Sequence, residues 1–380
     1  MSNSIPIEIW QKFSVASFLT LAAMFLFIPL AHRLKLLDFP VGRKDHASPT
    51  PVIGGLAMGV GIFATACLFH FNLGLGFLNQ DLIAFGVASG LLIVIGQLDD
   101  RFDLPWWLRI CVQALAAIIT AIWGGVRAEN LGSIFGDSPV SLDMWSIPFT
   151  VFATVGVINA LNMIDGMDGF AGSLGLTALI MLGAAALYSG NTRLAIDIAI
   201  LCGAVLAFLY FNLRLPWRRR AKAFLGNGGS AFLGFSIAWV AFRLTQSPGH
   251  PVTPALALWL VPVPLIDCLV LMTHRIRQGY SPFKPDHNHL HHLMRDAGLT
   301  PMRAVLITCA FSFICGVTAA SALRAGFSDG VLLLAFLALL VIWYWLTARR
   351  ARALTLLSHL RANSKAQTSA QATDSARPAR

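Results

Sequence analysis

Residues 147–171 read IPFTVFATVGVINALNMIDGMDGFA. The stretch 147–164 is largely apolar and nearly long enough to cross a bilayer, which takes about 20 residues of helix. Polar residues follow one another at steps of three as it ends: Asn159, Asn162, Asp165 and Asp168. Polar and ionisable side chains at membrane depth are costly and are usually functional. The stretch therefore predicts a membrane helix that ends in a polar site.

The rest of the chain shares this apolar character. Of its 380 residues, 56% are hydrophobic and 12% are charged, whereas a soluble domain is about a quarter charged. Lipid-facing backbone must satisfy its own hydrogen bonds, so we predict an all-α polytopic membrane protein. About eleven stretches are candidate spans, near 14–31, 53–72, 82–98, 108–124, 147–164, 171–188, 194–212, 228–244, 254–273, 304–324 and 330–347.

The distribution of charge predicts the orientation of the chain. Most of the 28 Lys and Arg residues fall in one set of loops and in the tail, and such loops are usually cytoplasmic. This places the N-terminus outside, the C-terminus in the cytoplasm, and the polar end of 147–171 on the cytoplasmic side. We predict one transmembrane domain, 1–360, and a disordered tail, 361–380.

The net charge of +10 is thus mainly a topology signal. The basic residues are dispersed over loops, which argues against a nucleic-acid partner. The lipid bilayer, its anionic headgroups and an anionic substrate are the predicted partners.

The predicted third span ends in GQLDDRFDLP, residues 96–105. A continuing helical turn would cluster Asp99, Asp100 and Asp103. One interpretation is a solvated helix end with Arg101 and Arg109 as partners. The other is a Mg²⁺ site and a carboxylate base, the usual needs of phosphate chemistry.

The polar end of 147–171 cannot lie on one helix face, because steps of three residues drift around the helix. Gly166 and Gly169 are expected to break the helix there and bend the two acids back. Amide and carboxylate oxygens suit a hard cation, and they also suit the donors of a uracil or a sugar. A polar helix terminus is the structural alternative.

Two glycine-containing segments are further candidates. In AFLGNGGSAFLGF, 223–235, small residues open the eighth span, where they suit either a phosphate at a helix N-terminus or close helix contacts. In GRKDHASPTPVIGG, 42–55, Arg43 and Lys44 are either an anion site or a basic flank of the next span.

The segment SPFKPDHNHLHHLMRDAG, 281–298, carries four histidines. A zinc site is the first alternative, but no cysteine is near and adjacent histidines rarely bind one ion together. Imidazoles that bind a pyrophosphate, helped by Lys284 and Arg295, fit a cytoplasmic loop better. A solvated loop is the structural alternative.

These five elements, in this order, resemble the polyprenyl-phosphate N-acetylhexosamine-1-phosphate transferase family (glycosyltransferase 4), over about 30–300. Residues 250–300, including HLHH, look most like the branch that uses UDP-GlcNAc and undecaprenyl phosphate. The resemblance implies transfer of GlcNAc-1-phosphate from the nucleotide sugar to the lipid. The products would be undecaprenyl-diphospho-GlcNAc and UMP, in the first membrane step of O-antigen or related cell-surface polysaccharide synthesis.

The same resemblance implies a Mg²⁺-dependent enzyme, with Mn²⁺ as a substitute, in the bacterial cytoplasmic membrane, with its site on the cytoplasmic face and a homodimer as its assembly. Its implied residue roles are catalysis by Asp99 and Asp100, metal binding by Asn162 and Asn227, nucleotide-sugar binding by Asp165, Asp168, Phe224, Arg43 and Lys44, pyrophosphate binding by His289, His291 and His292, and support by Asp103 and Asn159.

Position 227 departs from the family pattern, which usually has Asp in a GDxGS-like motif. Asn227 can still offer an oxygen, but it lacks the negative charge that favours Mg²⁺ over water. Weaker metal binding with retained activity, an inactive homologue and an engineered substitution remain open. A non-catalytic homologue that binds lipid phosphate or nucleotide sugar is thus the second hypothesis. A transporter, which would place acids such as Asp197 or Asp267 in mid-span, is the third.

Overall fold

The computed structural model describes residues 4–38, 49–72, 79–215, 217–218, 220–246, 251–282 and 288–359. Within these ranges the chain is mainly helical. Its helices are α1 Ser4–Leu34, α2 Gly54–Asn72, α3 Gln80–Phe102, α4 Trp106–Ile118, α5 Ser146–Ile164, α6 Phe170–Tyr188, α7 Thr192–Asn212, α8 Gly226–Thr245, α9 Pro254–Leu260, α10 Pro262–Arg277, α11 Leu290–Asp296, α12 Pro301–Arg324 and α13 Asp329–Thr347.

Smaller elements complete the described chain. A π-helical turn, Ile119–Trp123, prolongs α4, and a 3₁₀ turn, Asp143–Trp145, precedes α5. Residues 350–359 are helical as well. The strands β1 Leu37–Asp38 and β2 Thr50–Pro51 pair antiparallel, with Leu37 opposite Pro51. The second strand lies shortly before α2.

All eleven predicted stretches contain a helix. Eight helices of the described chain are long and apolar enough to cross a membrane: α1, α3, α4 with its π turn, α5, α6, α7, α12 and α13. The number, length and composition of these helices are therefore those of a multi-pass membrane protein. The stretch 254–273 instead holds α9 and α10, which meet at a bend of 89°, and the apolar part of α2 is shorter, Gly54–Phe69. The count of eleven spans and their orientation stay predictions.

Burial separates central helices from peripheral ones. The apolar window of α7 is 83% buried, whereas that of α13 is only 11% buried although its mean hydropathy is 2.3. Exposed apolar surface of that kind suits contact with lipid. The most enclosed helix thus lies in the middle of the bundle, and its C-terminal end reaches the candidate site.

Glycines let α8 approach two neighbours, α2 and α3, closely. A Cβ on Gly55 of α2 would lie 2.4 Å from the Gly229 nitrogen, and a Cβ on Gly96 of α3 would lie 2.2 Å from the Gly228 nitrogen. Small residues at such contacts are typical of packing between membrane helices. For Gly228 and Gly229 the structure therefore shows the helix-contact role. This packing holds the first turn of α8 against the end of α3.

Candidate active site

The described candidate residues lie at one end of the bundle. They occupy the end of α3, the α5–α6 turn, the first turn of α8 and the segment around α11. Arg43 and Lys44, as well as Lys284, lie outside the described residues. The structure therefore leaves the predicted roles of these three side chains as predictions.

Asp99 is the buried carboxylate of the site, with an exposed fraction of 4%. Its Oδ1 accepts a hydrogen bond from the Leu104 amide at 2.9 Å. Its Oδ2 accepts from Arg109 at 3.0 Å and from the Asn227 side-chain amide at 2.7 Å. One guanidinium and two amide donors therefore satisfy this buried carboxylate with hydrogen bonds.

Asn227 joins the ends of three helices. Its side-chain nitrogen donates to Asp99, and its oxygen accepts from the Asn162 amide at 2.9 Å. Asn162 also donates to the Ser230 hydroxyl at 2.9 Å, and the Asn227 backbone amide donates to Asp100 at 3.0 Å. The two predicted metal residues and the two predicted catalytic acids therefore form one connected network.

Asp103 separates from this network. The helix α3 ends at Phe102, and Asp103 takes a left-handed backbone conformation with φ 52°. Its side chain is exposed, while its amide donates back to the Asp99 carbonyl at 2.9 Å. The continuing helical turn expected for the three acids thus stops before the third one.

A small cavity lies beside Asp99 between apolar side chains of α3, α4 and α8. Asn159 and Gln113 line it, and the Asn159 amide donates to the Gln113 side-chain oxygen at 2.7 Å. Gln113 lies four residues after Arg109, on the same face of α4. Gln113 was not among the predicted site residues, although a glutamine at that spacing within an apolar helix indicates a polar site.

The turn between α5 and α6 carries the next two acids. Gly169 has φ 78°, so the helix breaks where the glycines predicted it. Asp168 accepts from Arg214 at 2.6 Å and from the Ala221 amide at 3.4 Å. Arg214 was counted only as a topology signal in the sequence. It ties the α5–α6 turn to the segment between α7 and α8.

The surroundings of Asp165 raise the pKa of its carboxyl. Burial, together with the charges of Asp100 and Asp168, raises the pKa of its carboxyl from 3.8 to about 7. A group with such a pKa changes its charge near neutral pH, which is a feature of functional sites.

Phe224 lies at the edge of the site, on the approach to α8. Its amide donates to the Pro51 carbonyl at 2.8 Å, and its carbonyl accepts from the Gly54 amide at 3.0 Å. The two predicted glycine segments are thus joined by backbone hydrogen bonds. Phe224 is half-buried there, and these bonds hold its backbone.

The histidines differ from one another. Both ring nitrogens of His291 are buried and have no hydrogen-bond partner among the described residues, and the residue is 2% exposed. Burial, His292, His289 and Arg295 lower the pKa of His291, so its ring is neutral. A Cβ on Gly166 would lie 2.1 Å from His291 Nε2. The histidine segment therefore touches the α5–α6 turn.

His289 is bound on both sides. Its Nδ1 lies 2.9 Å from Asp267 Oδ2, and its Nε2 lies 3.3 Å from Arg275 Nη2. Within the described ranges, no three His, Cys, Asp or Glu side chains converge to hold a metal ion.

Comparison with known proteins decides the family. The sequence pattern of glycosyl transferase family 4 matches residues 82–245. An Escherichia coli (strain K12) protein named undecaprenyl-phosphate alpha-N-acetylglucosaminyl 1-phosphate transferase is 33% identical over 297 residues, 77% of this chain and 79% of the relative. The chain belongs to glycosyl transferase family 4.

Two further family members give the same result. The Haemophilus influenzae protein of that name is 37% identical over 301 residues, 79% of this chain and 82% of the relative. The Salmonella typhi protein of that name is 33% identical over 315 residues, 83% and 84% of the two chains. The resemblance expected from the motifs is confirmed, and the chain is a transferase of this family.

The expectation of a magnesium ion can be compared with the donors present. Asp99, Asp100, Asn162 and Asn227 supply only oxygen ligands, the kind that Mg²⁺ prefers. Burial, together with the negative charges of Asp100 and Asp168, raises the pKa of the nearby Asp165 carboxyl. The chemistry of this donor set fits a hard divalent cation, with less negative charge than an Asp at position 227 would give.

Proposed function

We propose that the chain transfers N-acetylglucosamine-1-phosphate from UDP-GlcNAc to undecaprenyl phosphate and releases UMP. The observation that carries this proposal is the hydrogen-bonded network that joins Asp99, Asp100, Asn162 and Asn227 at one end of a bundle of apolar helices. A lipid phosphate lies at the end of membrane helices, and its tail lies along them. The relatives are named for the same lipid and the same sugar.

In the proposed reaction, an oxygen of the lipid phosphate attacks the β-phosphorus of UDP-GlcNAc. A bond forms between that oxygen and the β-phosphorus, and the bond from the β-phosphorus to the bridging oxygen breaks. UMP leaves with that oxygen, and the sugar stays on the transferred phosphorus. Catalysis of this kind rests mainly on positioning and electrostatics.

The two aspartates at the end of α3 have different surroundings, which divides their roles. Asp99 is buried and neutralised by Arg109, so it organises the first turn of α8 through Asn227. Asp100 is exposed at the surface of the bundle. We assign to Asp100 the contact with the lipid phosphate and the removal of its remaining proton. Asp99, whose carboxylate is bonded to Arg109, is the alternative base.

The donor side is assigned to the α5–α6 turn and the histidine segment. His291 offers a neutral imidazole N–H to a pyrophosphate oxygen. Asp165, Asp168 and Phe224 line the approach for the uridine and sugar. Mg²⁺, with Mn²⁺ as a substitute, would be held by oxygens of Asp99, Asp100, Asn162 and Asn227 and would neutralise charge on the pyrophosphate.

The proposal extends to the setting of the enzyme. The site faces the cytoplasm of a bacterial inner membrane, because the basic loops lie at the site end of the helices. The lipid product feeds O-antigen or related surface polysaccharide synthesis, and the chain acts as a homodimer. These parts rest on the charge distribution and on the family resemblance.

A specific observation favours a second candidate, a non-catalytic homologue. The Asn227 side chain already bonds Asp99 and Asn162, so the network is satisfied by protein groups alone. The transporter hypothesis has less support. Asp197 pairs with Arg243, and Asp267 pairs with His289, so both of its candidate acids have fixed partners.

The test is nucleotide release by the purified chain with undecaprenyl phosphate. UMP, rather than UDP, is expected from UDP-GlcNAc in the presence of Mg²⁺, and more slowly from UDP-GalNAc and UDP-MurNAc-pentapeptide. Omission of Mg²⁺ should abolish release. If no donor yields UMP while the lipid or the nucleotide sugar still binds, the non-catalytic candidate replaces the enzyme.

A further inference from the structure

A second polar network lies behind the histidine segment, where the proposed reaction makes no use of it. It consists of Asp267 and Arg275 of α10 and His289, which precedes α11. The three residues are 4%, 4% and 6% exposed. Burial of two charged groups is costly unless they are paired and hydrogen-bonded. We therefore asked which neighbouring groups this buried network orients.

The two neighbours determine the protonation of His289. A carboxylate only accepts hydrogen bonds, so Asp267 requires a proton on His289 Nδ1, at 2.9 Å. A guanidinium only donates, so Arg275 requires a lone pair on His289 Nε2, at 3.3 Å. The ring is therefore the neutral tautomer that carries its proton on Nδ1. Both of its nitrogens are then used inside the protein.

Asp267 also holds the beginning of α11. Its second oxygen accepts from the Leu290 backbone amide at 2.9 Å. The first amides of a helix need partners, and the residue before α11, His289, gives no side-chain cap. The Asp267 carboxylate supplies that cap from another helix. One carboxylate thus fixes both the His289 ring and the first turn that carries His291.

Arg275 fixes the other end of the same segment. Its Nη1 donates to the Pro282 carbonyl at 2.7 Å, while its Nη2 lies against His289. The chain is therefore held on both sides of residues 283–287. Asp267 and Arg275 lie two helical turns apart on α10, and they form one rigid base for the histidine segment.

We propose that Asp267 is a positioning residue, which orients His289 and caps α11 so that His291, and not His289, meets the pyrophosphate of the donor. This proposal rests on the proposed function. It changes the role implied for His289, whose two nitrogens are bound to protein. His291, with both nitrogens buried and without a partner among the described residues, is the ring that a ligand completes.

The test compares conservative variants by steady-state UMP release from UDP-GlcNAc. The amide nitrogen of Asn can replace His289 Nδ1–H as a donor to Asp267, so His289→Asn should retain activity within roughly tenfold, whereas His291→Asn should lose more than about a hundredfold. Removal of the outer partners that orient metal ligands typically costs about 10–100-fold, and we expect the same scale for a partner that orients a substrate-binding segment. Asp267→Asn should raise KM for UDP-GlcNAc by that factor and leave kcat within about threefold.

The matched control is Asp197→Asn. Like Asp267, Asp197 is a carboxylate paired with a basic side chain, Arg243 at 3.2 Å, but it is only half-buried and lies near the opposite end of α7 from the site. It should leave KM unchanged. Equal KM effects of Asp267→Asn and Asp197→Asn would overturn the proposal, as would a His289→Asn enzyme as inactive as His291→Asn.

A second measurement does not depend on turnover. With ¹⁵N-labelled histidine, one ring should show the neutral Nδ1-protonated tautomer by NMR. That signal should vanish in His289→Asn, move in Asp267→Asn and stay in Asp197→Asn. A wild-type chain that releases no UMP overturns the proposed function only. Absence of this tautomer in the wild type overturns the positioning role.

Discussion

At the scale of single residues, Asn227 lowers the negative charge of the site relative to an Asp at the same position. Its amide donates to Asp99 at 2.7 Å, where a carboxylate would oppose a second carboxylate. Asn227→Asp should therefore lower the melting temperature in EDTA and lower, by roughly tenfold, the Mg²⁺ concentration that gives half-maximal activity, because ligand charge tunes cation affinity. Melting curves and Mg²⁺ titrations of UMP release measure both effects.

The control for this change is Asn191→Asp. Asn191 caps α7 at its other end by accepting from the Leu194 amide, a role that Asp fills equally well. Asn191→Asp should alter neither the melting temperature in EDTA nor the Mg²⁺ concentration that gives half-maximal activity. An unchanged Mg²⁺ requirement in Asn227→Asp would show that position 227 takes no part in cation binding.

Gly166 has a second role, in packing against His291, which the sequence did not predict. It was expected to break a helix, but it also leaves room for His291, whose Nε2 would lie 2.1 Å from a Cβ. We expect Gly166→Ala to displace the ring and reduce kcat/KM for UDP-GlcNAc by about a hundredfold, a loss on the scale of a misplaced catalytic contact. Kinetic assays of the purified variants measure this loss.

Two further variants make that result specific. Gly156→Ala, in α5, adds a methyl group where nothing lies within 4 Å, and it should be silent. In a chain that already carries His291→Ala, Gly166→Ala should reduce kcat/KM for UDP-GlcNAc only slightly further. If the two losses instead multiply, Gly166 acts through a group other than His291.

Asp165 predicts a dependence of stability on pH. Its pKa of about 7 lies above the ordinary 3.8, so the folded chain keeps a proton that the unfolded chain releases between these values. The carboxyl therefore costs stability increasingly as the pH rises from about 4 to 7. In EDTA, Asp165→Asn should raise the melting temperature by several degrees at pH 8 and by much less at pH 5.

Asp103→Asn is the control, because Asp103 lies exposed at the end of α3 and Asn tolerates its left-handed backbone. It should give the same melting temperature as the wild type at both pH values. If Asp165→Asn raised the melting temperature equally at pH 5 and pH 8, the result would contradict the raised pKa of Asp165.

At the scale of elements, the helical stretch 350–359 supports the histidine segment. Arg350 donates to the Asn288 side chain at 2.8 Å and pairs with Asp296, so it contacts both ends of the segment that holds α11. Arg350→Ala should raise KM for UDP-GlcNAc several-fold with little change in melting temperature, because exposed ion pairs add little stability. Steady-state kinetics and thermal unfolding separate the two effects.

Arg352 provides the matched comparison on the same helical stretch. It lies over the Trp345 ring and donates to the Trp345 carbonyl, away from α11. Arg352→Ala should leave KM unchanged. A similar KM in the two variants would mean that this stretch does not position the histidines.

The elements also show what the sequence could and could not predict. Every apolar stretch contained a helix, because length and hydropathy are local properties, and the glycine turn at 165–169 follows from backbone freedom. The bend between α9 and α10 was not predicted, since an apolar run containing Pro262 and Pro264 reads equally well as one span. The sequence pattern also could not predict pairs of residues that are distant in sequence, such as Arg214 and Asp168.

The histidines illustrate the same limit at the site. Their spacing predicted a phosphate site, but it could not distinguish His289 from His291. Only the position of α10 does so, because Asp267 and Arg275 occupy both nitrogens of one ring and leave the other. Asp267 had looked like a mid-span acid, so its residue type was noticed and its partner was not.

At the scale of the whole molecule, the fold places the connected acids and amides at one end of long apolar helices. The loops at that end are also the basic ones. Lipid and nucleotide sugar can therefore meet at a single surface, with the lipid tail beside the helices. The central claim is that the sugar moves together with its phosphate, which separates this reaction from ordinary sugar transfer.

The most direct test follows the β-phosphate of the donor. The purified chain is incubated with Mg²⁺, undecaprenyl phosphate and UDP-GlcNAc that carries ³²P in the β-phosphate, and the lipid phase is then separated from the nucleotides. We expect the label to enter the lipid as undecaprenyl-diphospho-GlcNAc while unlabelled UMP appears in equal amount. Label that remains in UDP while sugar reaches the lipid, or no transfer at all, would contradict the account.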